Sequence, residues 1–236
     1  MSRSGFAAGF AGFALAWIII LFAAAVSVYA MAGDGPMLAR EMLRWAPPET
    51  TGLPEAEYEG VGRMTAAYLT GREAVFQYTF SDAEGRMYTC FHDYEQDHMA
   101  DCRGLIRLAG TLRLVLGGAA LALAGAGLLL RKERKTFAKG ILRGLTAAGV
   151  LIGLAAVWAL ADFGGFFTAF HRIAFTNDGW LLNPETDLLI RLMPENFFVA
   201  LGTGLLLQTA AAAAAAGIAA WIIIKRKGKF RNSSSL

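Results

Sequence analysis

Apolar residues run almost unbroken over residues 6–32, 112–130, 141–163 and 198–224, and the polar positions between them are gathered into blocks. A helix on the surface of a soluble domain would show polar residues at a 3.6-residue period, whereas helices apolar all round meet lipid or a deep core. Each run is long enough to cross a hydrocarbon core of ~30 Å at a rise of ~1.5 Å per residue. Lipid offers the backbone no hydrogen-bond partners, so each crossing segment must satisfy its own, and helices are the available solution.

The stretches between the runs predict shorter elements. "GPMLAREMLRW" (35–45) reads as a helix closed by Pro47 and Pro48, and "YEGVGRMTAAYLTG" (58–71) as a second ending at Gly71. "AVFQYTF" (74–80) and "RMYTCF" (86–91) read as two strands joined by the turn "SDAEG". From Asp93 the pattern turns helical and runs continuously into the second apolar run. "TNDGW" (176–180) is turn chemistry, and "NPET" (183–186) places Asn183 as the N-cap of a short helix with Pro184 at its first position. "MPENFF" (193–198) opens the fourth run. Gly5-x3-Gly9 and Gly149-x3-Gly153 have the small-residue spacing of close helix contacts.

Composition and charge turn this pattern into a topology. The chain is 56% apolar over 236 residues, with a mean hydropathy of +0.44. If all four runs cross, Arg3, "RKERKTFAKGILR" (131–143) and the basic tail share one face, which gathers 12 Lys/Arg against one acid, Glu133. The opposite face receives 10 Arg, no Lys and 18 of the 19 Asp/Glu, for a net charge of −8 against +11. The positive-inside rule makes the basic face cytoplasmic and both termini internal. The expected fold is an all-α polytopic membrane protein, a four-transmembrane-helix bundle in N-in/C-in orientation with a small α+β extracellular cap between helices 1 and 2.

The expected organisation is helix 1 at 1–32, the cap at 33–107, helix 2 at 108–130, a basic cytoplasmic loop at 131–140 and helix 3 at 141–169. An extracellular catalytic loop at 170–197, helix 4 at 198–224 and a basic cytoplasmic tail at 225–236 complete it. "VYA" (28–30) has the spacing of a signal-peptidase site, but the preceding apolar run exceeds the ~7–15 residues of a signal-peptide core, so helix 1 reads as an uncleaved anchor.

The same partition sorts the reactive side chains. His92, His98, His171, Cys90 and Cys102 all fall on the external side, and all six Lys fall inside. With no external Lys, no G-x-S-x-G elbow and Ser81 the one external loop Ser, serine-hydrolase and Lys-based mechanisms are excluded. On a helix, His98 shares a face with Tyr94, Glu95, Asp101 and Cys102, where a carboxylate could raise the basicity of its imidazole. Phe163, Phe166, Phe167 and Phe170 recur at i, i+3, i+4 and i+7 as an aromatic stripe that His171 follows, a pattern that also suits packing or a membrane-interface belt. Both histidines fall where a cap would meet the membrane surface, and ionisable groups at that depth are candidates for function.

Rival chemistries use the same residues. A metal-dependent lipid hydrolase would draw on His92, Asp97, His98, Asp101 and His171, although no H-E-x-x-H or tight His spacing is present. A thiol oxidoreductase would use Cys90 and Cys102, which lack the C-x-x-C spacing and suit a structural disulfide better. A non-catalytic scaffold or transporter remains; against transport, the charges within the runs, Arg113, Arg143 and Asp162, all lie near ends.

"HMADC" (98–102), "FHRIAFTNDGWLLNPETDLLIRLMPENFF" (170–198) and the order span, cap, three spans resemble the bacterial lipoprotein intramolecular transacylase (Lit) family. The resemblance implies four transmembrane helices under an extracellular cap in the bacterial plasma membrane, with the active site at the outer-leaflet face. It implies transfer of the sn-2 acyl chain of a diacylglyceryl-cysteine lipoprotein onto that cysteine's own α-amino group. Its two catalytic histidines match His98 and His171, and Asp101, Asn177, Asp178, Trp180 and Asn183 match further motif positions. Tyr94 is added as a neighbour of His98, and Phe167 and Phe170 as pocket wall. Cys102 stands where the family pattern usually has Val, so no role passes to it, to Cys90 or to His92. The implied partners are a diacylated lipoprotein and membrane lipids, with no cofactor, no metal and no nucleic acid, and a monomer is the preferred oligomeric reading.

Overall fold

The computed structural model describes residues 2–226, so the basic tail beyond Arg226 lies outside the described residues. In chain order the helices are α1 (Arg3–Ala32), α2 (Gly35–Trp45), α3 (Pro48–Thr51), a 3-10 turn (Glu55–Glu57) and α4 (Tyr58–Leu69). The hairpin β1 (Thr79–Ser81) and β2 (Met87–Thr89) follows, then α5 (Asp93–Leu129), α6 (Arg134–Ala161), α7 (Phe163–Ala174), α8 (Leu188–Leu192) and α9 (Glu195–Lys225). Four of them, α1, α5, α6 and α9, are long and apolar enough to cross a membrane. At 37 residues α5 is about 55 Å long, well beyond a hydrocarbon core of ~30 Å, so its polar first turns extend past the apolar stretch.

The chain divides into two compact units, one holding residues up to 21, 116–152 and from 210 onward, the other 22–115 and 153–209. In the first unit α1 and α6 meet backbone to backbone. A Cβ on Gly12 would sit 2.0 Å from the Phe137 carbonyl oxygen, and one on Gly140 2.1 Å from that of Gly9, so only glycine permits this approach. Among the described residues the expected contact at Gly149 and Gly153 is not made, since a Cβ at either position would meet nothing within 4 Å. Helix α6 begins at Arg134, inside the expected loop at 131–140, because Arg and Lys are good helix formers and nothing between Arg134 and the apolar run stops the helix.

In the second unit α2 packs on α4 through Gly35 and Gly62, over a core that includes Met42, Tyr58, Val61, Phe76, Leu192 and Phe197. Asp34 caps α2 by accepting from the Met37 N–H at 2.9 Å. The hairpin is shorter than its sequence pattern. Thr79 pairs with Thr89 and Ser81 with Met87, and before Thr79 the Gln77 amide takes over, donating to the Phe91 carbonyl at 2.7 Å and accepting from the Phe91 N–H at 3.1 Å.

The expected helix 3 does not continue to residue 169. It ends at Ala161, and Asp162 (φ −152°, ψ 82°) starts a separate helix by accepting from the Gly165 N–H at 2.9 Å. Two consecutive glycines, poor helix formers, follow an Asp that is a strong N-cap, so the break is locally encoded. Asn183 is not a helix N-cap: its side chain closes a turn by accepting from the Glu185 N–H at 3.0 Å, and α8 starts later, after Asp187.

Candidate functional site

The N-terminus of α5 is fixed by a carboxylate that serves two helices. Glu95 is completely buried; its Oε2 accepts from the His92 N–H at 2.7 Å, closing the first turn of α5, and its Oε1 accepts from the Leu189 N–H at 2.8 Å, capping α8. Beside it the Tyr94 hydroxyl donates to Asp187 at 2.6 Å, and Asp187 also accepts from the Thr186 hydroxyl at 2.6 Å and the Asn183 N–H at 2.8 Å. Burial pushes the Asp187 carboxyl up, but these bonds outweigh it and hold the group below the usual carboxylate range. Asn177 supplies a further tie, donating to Asp101 at 2.8 Å while its Oδ1 accepts from the Gly179 N–H at 3.0 Å.

These ties place His98 on α5 opposite His171 on α7. The ring centroids are 6.1 Å apart, and both residues are buried, with relative exposures of 8% and 6%. Phe175 lies 5.2 Å from His98 and 5.5 Å from His171, while Phe167, Phe170 and Trp180 stand 3.9, 5.3 and 5.0 Å from the His171 ring. Phe167 in turn packs on Phe198 at 5.3 Å. The two imidazoles therefore sit in an aromatic enclosure, and beside it the apolar side chains of Phe170, Ile173 and Leu181 are all at least half exposed.

Their hydrogen bonds differ. His171 Nδ1 lies 2.8 Å from the Phe167 carbonyl oxygen, an acceptor only, so Nδ1 carries the proton and Nε2 keeps its lone pair in the neutral ring. His98 Nε2 lies 3.6 Å from Cys102 Sγ, and its Nδ1 is buried without a partner among the described residues. Burial lowers the pKa of both. In His98 the neighbouring His171 lowers it further, and the pull of Asp101 in the raising direction is too weak, leaving it at about 4. In His171 the bond to Phe167 opposes burial without cancelling it. Asp101 therefore does act on His98 in the expected direction, but desolvation outweighs it and the net shift is downward.

Of the expected site residues, His98, His171, Phe167, Phe170 and Trp180 are brought together. Asp101 and Asn177 brace the loop behind them, and Tyr94 is part of the Asp187 tie. Asn183 serves its own turn, and the exposed Asp178 side chain makes no hydrogen bond among the described residues. The Cys90–Cys102 disulfide is not formed. Both thiols are free; Cys102 faces His98 one turn back on its own helix, and burial raises the two thiols to about 12 and about 11 for Cys102 and Cys90. Among the described residues no group of three or more His, Cys, Asp or Glu side chains is arranged to hold a metal ion. Asp187 and Phe198 carry no assigned role in the sequence reading, and Glu95 is read there only as a neighbour of His98; its capping-box spacing to His92 is the local signal for its actual role.

The fold has solved counterparts. The membrane integral lipoprotein intramolecular transacylase Lit from Bacillus cereus superposes with a TM-score of 0.73 at 17% identity, covering 94% of this chain and 97% of that one. Two variants of the Bacillus cereus protein, with one histidine replaced by arginine or by alanine, each give 0.69 at 17% identity and cover 94% of this chain and 94% and 96% of theirs. No curated protein matches the chain. The model of the lipoprotein intramolecular transacylase Lit family matches residues 13–198, which include both histidines and most of the chain, and the chain belongs to that family.

Proposed function

We propose that this bacterial membrane acyltransferase works with His171 as general base and His98 as hydrogen-bond donor. The reaction moves the sn-2 acyl chain of a diacylglyceryl lipoprotein onto the α-amino group of its N-terminal cysteine. The observation that carries the reading is the pair of buried, unequally bonded imidazoles 6.1 Å apart inside an aromatic enclosure. Donor and acceptor belong to one substrate, so no enzyme nucleophile is required, in agreement with the lack of external Lys and of a serine elbow.

The amine attacks the ester carbonyl, a C–N bond forms, and the carbonyl oxygen becomes an oxyanion. The attacking nitrogen, now cationic, is strongly acidic, so His171 Nε2 removes its proton even with a lowered pKa. Phe167 holds the opposite nitrogen protonated and so sets the tautomer. The Cys102 thiol, kept protonated by its raised pKa, donates to His98 Nε2, which leaves Nδ1–H as the donor that meets the oxyanion. The C–O bond then breaks, and the proton taken by His171 passes to the departing glyceryl oxygen, so the products are an amide and a free sn-2 hydroxyl and no water is consumed. Holding amine and ester together supplies up to about 7–11 kcal/mol of the barrier, and the aromatic walls exclude the water that would hydrolyse the ester.

In the same reading the chain crosses the bacterial plasma membrane four times with both termini inside, along α1, the apolar part of α5, α6 and α9. The cap and the two histidines lie at the outer-leaflet face. The exposed apolar side chains of α7 sit in the lipid interface, where a lipid-anchored substrate arrives sideways. Asp101, Asn177 and Tyr94 support the loop, and Phe167, Phe170 and Trp180 wall the pocket.

Mass spectrometry of a reporter lipoprotein's N-terminal peptide tests the reading. The purified protein should yield N-acylated, O-monoacylated cysteine, unchanged by chelator. Release of free fatty acid, loss of turnover with chelator, or full turnover by His98→Ala or His171→Ala would overturn it.

A further inference from the structure

We infer that the chain carries a second lipid site, for the phosphodiester headgroup of an anionic glycerophospholipid, in the hollow where the end of α1 meets the loop after α4 and the flank of α5. The hollow is an open surface depression of about 390 Å³ lined by Tyr29, Ala30, Gly33, Thr70, Arg72 and Arg113. It uses none of the residues assigned to acyl transfer.

Two guanidinium groups face this space, and both are held by something other than a carboxylate. The Arg113 guanidinium lies over the Tyr29 ring at 3.9 Å and donates from Nε to the Gly110 carbonyl at 3.3 Å. Tyr29 reaches that position because residue 110 is glycine; a Cβ there would stand 2.8 Å from the ring. Arg72 donates from Nε to the Thr70 hydroxyl at 3.1 Å and from Nη2 to the Gly33 carbonyl at 3.5 Å. Just beyond the hollow, Arg103 repeats the arrangement over Tyr68 at 4.7 Å, and its Nε is buried without a partner among the described residues.

Among the described residues the ion pairs are those of Arg63 with Glu59 and of Arg86 with Asp82 and Glu84, so Arg72, Arg103 and Arg113 have no carboxylate partner. An aromatic face steadies a guanidinium through its plane and leaves the in-plane N–H donors free, the geometry that binds phosphate oxygens. The remaining neighbours, a tyrosine ring and an alanine, suit the glyceryl carbons of a lipid better than they suit a fully hydrated ion. The position of the hollow points to the same source. Gly33 directly follows α1, and Arg113 is the second residue of the apolar run of α5, so the arginines stand at the boundary between apolar helix and polar cap, where lipid phosphates lie. This step rests on the reading that α1 and α5 cross a membrane, and not on the acyl transfer.

The test reads bound lipid and not turnover. The protein is reconstituted into nanodiscs of equal phosphatidylglycerol and phosphatidylcholine, extracted into mild detergent, and its retained lipid is quantified by mass spectrometry. The wild type should retain phosphatidylglycerol in preference to phosphatidylcholine, and each of Arg72→Gln and Arg113→Gln should lower that preference about fivefold. Arg63→Gln, which removes a paired guanidinium, should leave it unchanged. Arg72→Lys, which keeps the charge without the fork, should fall between. Arg72 is exposed, so Arg72→Gln keeps the test decisive if the Arg113 variant fails to fold. Equal retention of both lipids by the wild type, or unchanged preference in Arg72→Gln, would overturn the proposal. Displacement of the lipid by millimolar inorganic phosphate would assign the hollow to a free anion instead.

Discussion

A neutral imidazole offers one donor and one acceptor, and in the proposed mechanism His98 and His171 divide the two roles. If His171 is the base, His171→Gln should abolish the acyl shift, a loss of at least about 100-fold, whereas His98→Gln keeps an N–H donor and should retain more activity. Mass spectrometry of the reporter peptide separates the two outcomes. Cys102→Val removes a weak donor to His98 Nε2 and should cost less than about tenfold, since a thiol bond is worth little. The pKa shifts have a sign that can be followed. Both rings titrate below the ordinary value of about 6.5, so the unfolded chain binds more protons than the folded one just below that pH. Their contribution to stability is complete above pH ~6.5 and is lost as the pH falls toward the folded value of His98, about 4. The acyl-shift rate should therefore fall at acid pH with the substrate amine, of pKa roughly 7.7–8.0, and show no second break near 6.5. A break at 6.5 in the rate profile would mean that a histidine titrates normally. The motif made both histidines visible in the chain; their unequal bonding depends on the Phe167 carbonyl and on Cys102 packing, which spacing alone does not reveal.

At the scale of elements, the site stands on two caps. Asp162 starts α7 and so sets the direction of His171. Asp162→Ala should lower stability by about 1 kcal/mol and reduce turnover, while Asp162→Asn should be nearly neutral, as read by thermal unfolding and the same assay. Glu95 joins α5 to α8 with one carboxylate. Glu95→Gln turns an acceptor into a donor against a buried N–H, and should cost about 1–3 kcal/mol, as read by thermal unfolding. The helix at 35–45 and the continuous helix from Asp93 were legible in full, because caps and period act within a few residues. The break at Asp162 was missed although its Asp-Phe-Gly-Gly signal is local, since the apolar run around it satisfied the span pattern first. The strands were overextended because Gln77, from outside the ladder, takes the bonds that a longer strand would use.

At the scale of the whole molecule, the apolar runs and their basic flanks lead to a definite orientation. Single cysteines placed at Arg86 and Lys132 in a Cys90→Ser/Cys102→Val background should react with an impermeant maleimide from outside only at position 86, and the reverse would invert the topology. In the unsubstituted protein both thiols should react with maleimide after unfolding without prior reduction, as free cysteines do. The sequence by itself determined the four helices long and apolar enough to cross a membrane and the family motif, because lipid imposes length and apolarity residue by residue. Only the tertiary structure decided that Asp101 is tied to Asn177 and that burial outweighs its pull on His98, that Glu95 caps two helices, and that Arg72 and Arg113 face one hollow. Each of those facts joins residues distant in the chain, and their partners are chosen by packing, which no local pattern records.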